Sequence, residues 1–469
     1  MRGLWTTAHV REAEARALAV TRPDALMRRA AYGVAAVAAE VLAGRRRVGL
    51  LVGAGGNGGD ALWAGYYLRR RGIRVFAVLL TPDRAHASGL AAFRRAGGRV
   101  VPALPPVDLV VDGIVGLSGR GPLREVAAAH VAALDAPVLA VDSPSGVDPD
   151  TGAISGPHVR ASWTVTFGGL KPVHALADCG DVRVVDIGLP LPPPDLVELS
   201  LTDVGRLWPV PGATSDKYTQ GVTGVAAGSA TYPGAAVLST GAALLATSGM
   251  VRYAGSAADL VRGRWPEAIC TGSITDAGRV QAWVVGPGMG TGSSAEAVLR
   301  TVLEAGVPVC VDADAVTMLA NTPALWDARD PSTPVVLTPH DREFARLAGP
   351  VGTDRVAAAH RAATRFDAVV LLKGNTTVVA APDGTTHVNR AGSSWAATAG
   401  SGDVLSGVLG ALLAAGLPPA VAAAAAARLH SESAATAANG APIPASALLA
   451  AIPDTIRRAR RPLGPDGAD

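Results

Sequence analysis

Residues 398–407 read Thr398-Ala399-Gly400-Ser401-Gly402-Asp403-Val404-Leu405-Ser406-Gly407, a glycine-rich turn that runs directly into an apolar helical pattern. Glycine lets the backbone approach a ligand closely, and the start of a helix turns unpaired N–H groups toward it. Such a place binds a phosphate or a developing negative charge. Asp403 lies at the joint, where it is either a base acting on a hydroxyl group or a simple cap of the helix.

The composition is that of a well-buried globular protein. The 469 residues predict two or three domains. Charged residues make up 17% of the chain, below the usual share of about 25%, and hydrophobic residues make up 49%. The net charge is only +3 and aromatic residues are scarce at 4%, so no nucleic-acid partner is expected. Three widely separated cysteines suggest neither a disulfide framework nor a zinc site.

Neither a signal peptide nor a membrane span is predicted. Residues 1–7 lack an apolar core. The most apolar stretch, residues 404–427, is interrupted by Ser406 and by Pro418-Pro419 before it reaches the roughly 20 residues that a span needs. We therefore expect a cytoplasmic protein without a membrane partner, and we expect it to form a homo-oligomer.

Short apolar runs alternate with helical patterns along the whole chain. In the first half, strands are predicted at residues 48–52, 74–80, 108–112 and 137–141, and helices at 61–71 and 122–134. In the second half, strands are predicted at 222–228, 280–285, 307–311, 334–337 and 368–372, and a helix at 234–251. Continuous apolar strands between helices predict parallel sheets covered on both faces.

The predicted fold class is therefore α/β with two domains, of which the N-terminal one is a Rossmann-like three-layer αβα domain. The proline-rich residues 188–195 form the clearest linker, because consecutive prolines make a stiff spacer. We place the boundary near residue 200, with domains at 1–200 and 201–469.

The first predicted strand is followed by a glycine-rich turn, Gly53-Ala54-Gly55-Gly56-Asn57-Gly58-Gly59-Asp60, which contains the pattern G-x-G-x-x-G. The pattern is typical of a dinucleotide site. However, Asp60 enters the first turn of the following helix, where a pyrophosphate would lie, and two like charges repel there. The turn instead offers oxygen ligands and close backbone approach, so both interpretations stay open.

Two further polar loops follow later strands of this half, beginning at Asp112 and at Asp142. Together with the first turn, they bring Asn57, Asp112 and Ser145 to strand ends, where open α/β sheets bind ligands. Their oxygen atoms suit a hard cation. The alternative is that they form ordinary Asx and Ser turns.

Four stretches together resemble the NAD(P)H-hydrate epimerase family: Arg11-Glu12-Ala13-Glu14, Leu26-Met27-Arg28-Arg29-Ala30, the turn at 57–60 and the turn at 142–148. The family's turn has two asparagines, and Gly56 stands in place of the first. The resemblance implies that K⁺ binds at Asn57, Asp112 and Ser145. It implies that Asp142, and after it Asp60, supplies the acid/base chemistry that inverts C6 of a hydrated nicotinamide. The implied substrate-binding residues are Gly56, Asn57, Gly58, Gly59, Asp60, Gly116, Leu117, Ser118, Gly119, Arg120, Gly121, Pro122 and Asp142.

The second half contains no G-x-x-x-x-G-K-[ST] motif, so it is not a P-loop NTPase. A polar stretch, Lys373-Gly374-Asn375-Thr376-Thr377, follows a strand and is suited to phosphate binding, although a hairpin turn is the plainer interpretation. His340 either orients a substrate or has a structural role.

Several short stretches, in order along the chain, resemble the ribokinase-like fold and, more narrowly, the NAD(P)H-hydrate dehydratase family. They are Gly228-Ser229 with Tyr232-Pro233-Gly234-Ala235-Ala236, Val285-Gly286-Pro287-Gly288-Met289-Gly290, Asp312-Ala313-Asp314-Ala315, Leu337-Thr338-Pro339-His340, Leu372-Lys373-Gly374 and Ala399-Gly400-Ser401-Gly402-Asp403. With the first half, nearly the whole chain is similar to a bifunctional epimerase/dehydratase.

The resemblance implies repair of the hydrates of NADH and NADPH, called NADHX and NADPHX. ADP would activate the C6 hydroxyl of the S hydrate by phosphorylation and leave as AMP, with Asp403 as the base and Mg²⁺ accompanying the phosphates. Glu343 would be a partner of Mg²⁺ beyond its direct ligands. The implied nucleotide-binding residues are Lys373, Gly374, Asn375, Thr376, Thr377 and Gly402. The implied hydrate-binding residues are Ala235, Ala236, Gly288, His340 and Asp403.

Two other functions stay open on the sequence. One is a ribokinase-like kinase of a small alcohol, which would release a stable phosphorylated product. The other is a nucleotide-sensing module that binds its ligands without converting them.

Overall fold

Apolar strands flanked by helices form a separate sheet in each half of the chain. The structure is a computed structural model that describes residues 1–22, 24–247 and 249–461. The chain divides into two units by its internal packing. The first unit is Gly3–Leu196, and the second contains the chain from Val197 together with Met1 and Arg2.

In the first half of the chain, the strands and helices alternate from the N-terminus. The strands are β1 (Arg2–Leu4), β2 (Arg47–Val52), β3 (Arg74–Leu79), β4 (Arg99–Val100), β5 (Leu109–Gly113), β6 (Val138–Val141), β7 (Trp163–Phe167) and β8 (Asp181–Val185). The helices are α1 (Thr7–Leu18), α2 (Ala25–Val41), α3 (Gly56–Arg70), α4 (Ala87–Arg95), α5 (Glu125–Ala132) and α6 (Val173–Leu176).

The second half of the chain continues the alternation. Its strands are β9 (Leu196–Glu198), β10 (Val222–Ala226), β11 (Met250–Ala254), β12 (Ile269–Thr271), β13 (Ala282–Val285), β14 (Val309–Val311), β15 (Val335–Leu337), β16 (Val369–Leu372), β17 (Thr376–Ala380) and β18 (Thr386–Arg390). Its helices are α7 (Leu201–Leu207), α8 (Pro233–Ala246), α9 (Ala258–Arg264), α10 (Ser293–Leu303), α11 (Asp314–Asn321), α12 (Ala324–Asp327), α13 (Asp341–Ala348), α14 (Arg355–Phe366), α15 (Ser401–Ala414), α16 (Pro419–Ala438) and α17 (Ala445–Ala459).

The sheet of the first unit is parallel and buried on both faces. Its order is β4-β3-β2-β5-β6-β7-β8, so the strand order reverses between β2 and β5. Leu50 of β2 packs with helices α2, α3 and α4, and its neighbour Leu51 packs with helix α5 on the other face. These three layers confirm the predicted fold class, and the reversal point is where such sheets bind ligands.

The sheet of the second unit is parallel in its centre and ends in an antiparallel hairpin. Its order from β18 is β18-β17-β16-β15-β14-β13-β10-β11-β12. Strands β10 to β16 run parallel, whereas β17 is antiparallel to both β16 and β18. The hairpin interpretation of residues 373–377 is therefore confirmed, with β17 beginning at Thr376.

Two helix predictions were wrong at one end. Helix α3 begins at Gly56 rather than Ala61, so residues 56–59 of the predicted glycine turn form the first turn of the helix, and Asp60 lies in its second turn. The helix predicted at 234–251 ends at Ala246, because Thr247 is extended and Met250 pairs with Val222 in the sheet. In both places tertiary packing overrides local propensity.

The predicted proline-rich linker is hydrogen-bonded, within the first unit, to the residues directly before helix α1. Trp5 Nε1 donates to Pro192 O at 2.7 Å, and Thr6 N donates to Asp195 Oδ2 at 2.8 Å. No helix among the described residues is long and apolar enough to cross a bilayer.

The close packing of helices α8 and α15 generates a stability prediction. A methyl group at Gly407 would overlap the carbonyl oxygen of Ser239 and the Cβ of Ala242. We expect Gly407→Ala to lower the free energy of unfolding by about 1–3 kcal/mol in urea titrations. Gly263→Ala is the control, since its methyl group meets open space, and we expect a gain of up to about 1 kcal/mol. Equal stability of Gly407→Ala and wild type would contradict this packing.

Candidate functional sites

Helix α15 begins with a left-handed glycine. Gly400 precedes the helix with φ +88°, and among the described residues no side chain caps the helix through a hydrogen bond. Asp403 is the third helical residue, an acidic side chain in the first turn. Its role as the base stays a prediction.

Asp312 joins three strand ends to helix α15. Its Oδ1 accepts from Lys373 Nζ at 2.6 Å and from Thr338 Oγ1 at 2.8 Å. Its Oδ2 accepts from Ser406 Oγ at 2.6 Å. Asp312, Thr338 and Lys373 directly follow strands β14, β15 and β16, and Ser406 lies in helix α15. One buried carboxylate therefore sets the position of the helix start relative to the sheet.

Lys373 faces the first turn of helix α15. A β-carbon at Gly402 would lie 3.6 Å from Lys373 Nζ. Burial lowers the pKa of Lys373, but the negative charges of Asp312 and Glu343 raise it by more. The pKa of Lys373 therefore lies above its ordinary value. A fixed cation beside unpaired helical N–H groups is an arrangement that binds a phosphoryl group.

Burial raises the pKa of Asp403 to about 7, and the negative charge of Asp312 adds to the effect. Asp314 also raises this pKa, whereas the nearby Lys373 ammonium lowers it. A carboxyl group with a pKa near neutrality is suited to general acid–base catalysis.

A cavity of about 930 Å³ opens beside this helix start. It is large enough for a nucleotide. Five of the six predicted nucleotide-binding residues line it: Lys373, Gly374, Asn375, Thr377 and Gly402. The sixth, Thr376, is the buried first residue of strand β17.

Two residues that the sequence did not single out support this cavity. Arg355 bonds the carbonyl oxygens of Lys373 and Thr376, so it fixes the turn between β16 and β17. His430 lines the cavity and donates from Nε2 to Ser401 O at 2.9 Å, and burial lowers the pKa of His430 to about 4. Neither residue lies in a recognisable motif.

The predicted hydrate-binding residues divide between two places. Ala235 and Ala236 lie in the first turn of helix α8, and a β-carbon at Gly288 would lie 2.9 Å from that of Ala235. His340, in contrast, lines the 930 Å³ cavity. Its Nδ1 accepts from the backbone N–H of Glu343 at 3.2 Å, so it also caps helix α13.

A second cavity, of about 750 Å³, lies in the first unit at the reversal point of the sheet. Gly58 and Gly59 face away from it, where β-carbons would overlap the carbonyl oxygen of Gly53 and the side chain of Met27. Eleven of the thirteen predicted substrate-binding residues line the cavity: Gly56, Asn57, Asp60, Gly116, Leu117, Ser118, Gly119, Arg120, Gly121, Pro122 and Asp142.

Asp142 forms a buried ion pair that the sequence did not predict. Lys171 Nζ donates to Asp142 Oδ1 at 2.6 Å, and the two residues are 1% and 3% exposed. The signal in the sequence is a single lysine after Gly168-Gly169-Leu170, which is insufficient to distinguish it from a surface residue.

Two other carboxyl groups line the same cavity. Burial raises the pKa of Asp60 well above its ordinary value, and the charges of Asp142 and Glu14 add to this. Asp60 Oδ1 is buried and accepts no hydrogen bond from the described residues. Burial likewise raises the pKa of Glu14.

Asp112 is a buried carboxylate beneath this cavity. Its Oδ1 accepts from Ser145 Oγ at 2.8 Å, and its Oδ2 accepts from Ser145 N at 2.9 Å. Burial raises the pKa of Asp112 to about 6. In the ranges that the structure describes, no cationic side chain pairs with Asp112. The same ranges contain no cluster of three His, Cys, Asp or Glu side chains that could hold a metal ion.

The surroundings of Asp112 are rich in oxygen atoms. The start of helix α3 lies against the end of strand β5, since a β-carbon at Gly113 would lie 2.9 Å from Asn57 O. One carboxylate, one hydroxyl and one carbonyl oxygen therefore lie near one another, and such oxygen ligands suit hard cations.

Two family models match the chain. One, described as NAD(P)H-hydrate dehydratase, matches residues 223–457, and the other, described as YjeF-related protein N-terminus, matches residues 23–173. The chain is 60% identical over 434 residues to the bifunctional NAD(P)H-hydrate repair enzyme Nnr of Mycobacterium leprae, covering 90% of this chain and 91% of the relative. It is 39% identical to the Corynebacterium glutamicum protein of the same description, with 84% and 83% covered.

Solved structures resemble the second unit. An ADP/ATP-dependent NAD(P)H-hydrate dehydratase from Bacillus subtilis, co-crystallised with ATP/Mg²⁺, is 28% identical with a TM-score of 0.51. The match covers 56% of this chain and 99% of that one. A ribokinase-like superfamily protein from Enterococcus faecalis, 24% identical with a TM-score of 0.53, shows the same fold.

The contacts of Asp312 generate a prediction about stability. We expect Asp312→Asn to lower the free energy of unfolding by roughly 3–5 kcal/mol, because the Lys373 ammonium loses its carboxylate partner. The double variant Asp312→Asn/Lys373→Met removes both charges and should lose less than the two single variants combined. Additive losses in urea unfolding would show that the pair is not coupled.

Proposed function

The chain belongs to the family of bifunctional NAD(P)H-hydrate repair enzymes, and on that premise we propose how its two sites share the reaction. Its function is to epimerise the R and S forms of hydrated NADH and NADPH and to dehydrate the S form at the expense of ADP, giving AMP and phosphate. We assign dehydration to residues 201–469 and epimerisation to residues 1–200. The observation that carries the first assignment is Asp403, a carboxyl with a pKa of about 7 beside Lys373 and the start of helix α15.

The dehydration requires a better leaving group than hydroxide. Asp403 takes the proton of the C6 hydroxyl, and the hydroxyl oxygen forms a bond to the β-phosphorus of ADP as the bond to AMP breaks. The ring nitrogen then supplies an electron pair, the C6–oxygen bond breaks, and phosphate leaves. Loss of the C5 proton restores the dihydropyridine.

The nucleotide lies in the 930 Å³ cavity. Lys373 and the N–H groups around Gly402 hold the phosphate that is transferred, and Gly374, Asn375 and Thr377, which line the cavity, hold the rest of the nucleotide. Thr376 was predicted to bind it as well, but its burial outside the cavity argues against that role. Arg355 keeps this turn in place through its bonds to the backbone. Bound Mg²⁺ would offset phosphate charge, with Glu343, 3.9 Å from Lys373 Nζ, as a partner through water.

The S hydrate lies at the start of helix α8, near Ala235, Ala236 and Gly288. Asp403 reaches its hydroxyl group. His340 binds the hydrate from the 930 Å³ cavity, in addition to capping helix α13.

The epimerase must invert C6, a carbon that carries both a hydroxyl group and the ring nitrogen. Asp142 removes the hydroxyl proton, and the C6–nitrogen bond breaks with its electron pair going to nitrogen, which Asp60 protonates. Closure on the other face reverses both proton transfers and gives the epimer. The raised pKa of Asp60 supports its role as the acid, because burial favours the protonated form of this carboxyl group. The 750 Å³ cavity holds the hydrate.

K⁺ would bind in the first unit at Asn57, Asp112 and Ser145, where it would hold the loops after β2, β5 and β6 together. The buried charge of Asp112 supports this proposal. The expectation of a homo-oligomer stays a prediction.

The raised pKa of Asp403 predicts the pH dependence of dehydration. The base must be ionised, so kcat/KM for the S hydrate should rise with pH and level off above about 7. Asp403→Asn should lower kcat by about 10²–10⁴-fold, measured as recovery of the absorbance of reduced nicotinamide. Epimerisation by the same variant is the control and should not change. Full dehydratase activity in Asp403→Asn would exclude this base.

The K⁺ site predicts a cation dependence of epimerisation alone. Replacing K⁺ by tetramethylammonium should slow interconversion of R and S hydrates, followed by chromatography without ADP. Asp112→Asn should raise the half-saturating K⁺ concentration at least about tenfold. Dehydration of the S hydrate, measured in the same buffers, serves as the control. An epimerisation rate that is independent of K⁺ would refute the site.

A further inference from the structure

Lys171 is fully enclosed beside the epimerase cavity. Its ammonium donates to Asp142 Oδ1 at 2.6 Å, to Thr166 Oγ1 at 2.8 Å and to Phe167 O at 3.0 Å. An ammonium has three N–H donors, so the protein itself uses all of them. Lys171 therefore acts on the reaction through a neighbour rather than by contact with the substrate.

That neighbour is Asp142, which does line the cavity. Its Oδ1 accepts from Lys171 and also from Thr166 Oγ1 at 3.0 Å. In the described part of the chain, no donor bonds to Oδ2. The carboxylate thus has one oxygen held by the protein and one oxygen left for the substrate.

His174 fixes the backbone of both partners. Its Nδ1 accepts from Lys171 N at 2.8 Å, and its Nε2 donates to Asp142 O at 2.8 Å. Burial lowers the pKa of His174 to about 4, so it is neutral and keeps this tautomer at physiological pH. Asp142 is held with φ +68°, a left-handed conformation that is unusual for a residue other than glycine.

Two further carboxyl groups face Asp142. Glu14 comes from helix α1 and Asp60 from helix α3, and the charge of Asp142 raises the pKa of each. Arg11, on the same helix as Glu14, lowers the pKa of Glu14 but donates to Leu117 O. Three carboxyl groups in one buried site repel each other when ionised, and one enclosed ammonium favours ionisation of the group it touches.

We propose that Lys171 is the positioning residue of the epimerase, which keeps Asp142 ionised between two other carboxyl groups and directs Oδ2 to the C6 hydroxyl. The inference rests on the proposed epimerase function and explains why Asp142, and not Asp60, is the base. The proton of the hydroxyl goes to Oδ2 and returns on ring closure, while Lys171 keeps its own protons throughout.

The test compares the pH profiles of epimerisation by the full chain. Purified R hydrate is incubated without ADP, and the appearance of S hydrate is followed by chromatography from pH 5 to 9. In Lys171→Met, we expect the acidic limb of the kcat/KM profile to shift toward higher pH by about 1–3 units. The decrease in kcat/KM is therefore greatest at low pH. The control variant is Arg183→Met, which removes an exposed cation from strand β8 and should leave the profile unchanged.

Two further variants keep the test decisive if Lys171→Met fails to fold. Thr166→Val removes one of the two donors to Oδ1 without changing shape, and should shift the limb in the same direction by a smaller amount. Asp142→Asn/Lys171→Met carries a neutral pair, and should epimerise no more slowly than Asp142→Asn alone. Dehydration of the S hydrate by each variant verifies that the rest of the chain is intact.

Each outcome decides one question. A limb that stays in place while the rate falls equally at every pH would assign Lys171 a structural role and overturn the proposal. A further large loss on adding Lys171→Met to Asp142→Asn would show that Lys171 does not act through Asp142. A wild type that never interconverts R and S would instead refute the proposed epimerase function.

Discussion

The ion pair between Lys373 and Asp312 is the interaction on which the second unit depends. Asp312 is buried at the end of strand β14, and its two oxygens bind side chains from β15, β16 and helix α15. The pair therefore joins the helix start to the sheet and leaves an ammonium beside the N–H groups of the first turn. Burial raises the pKa of Asp403, and the charge of Asp312 adds to this effect while the Lys373 ammonium opposes it. The same pair therefore influences both the proposed phosphate site and the proposed base.

The first unit has a different fold but also contains a buried lysine–aspartate pair next to a second carboxyl group. Lys171 pairs with Asp142 at the end of strand β6, while Asp60 lies nearby without a cationic partner in the described ranges. In each unit, one buried carboxylate pairs with a lysine, and burial raises the pKa of a second carboxyl group nearby. The paired carboxylate is the proposed base in the first unit, whereas in the second unit the group outside the pair has that role.

The sequence predicted the fold class, the central strands and the family, because continuous apolar runs and short ordered motifs are local features. It missed the start of helix α3, since the glycines at 56, 58 and 59 have low helix propensity. At Gly58 a larger residue would overlap the carbonyl oxygen of Gly53, directly after strand β2. It also missed Lys171, His174, Arg355 and His430. Each is a single polar residue whose partners lie far away in sequence or on the backbone, so no pattern of spacing identifies it.

The central claim is that the C6 hydroxyl leaves as phosphate at the start of helix α15. The most direct measurement uses S hydrate labelled with ¹⁸O at the C6 hydroxyl, incubated with the full chain, ADP and Mg²⁺. The isotope shift in the ³¹P NMR spectrum of the released phosphate reports the position of the label. We predict one labelled phosphate for each AMP and each restored NADH. Label in bulk water, or a stable phosphorylated nicotinamide, would contradict the account.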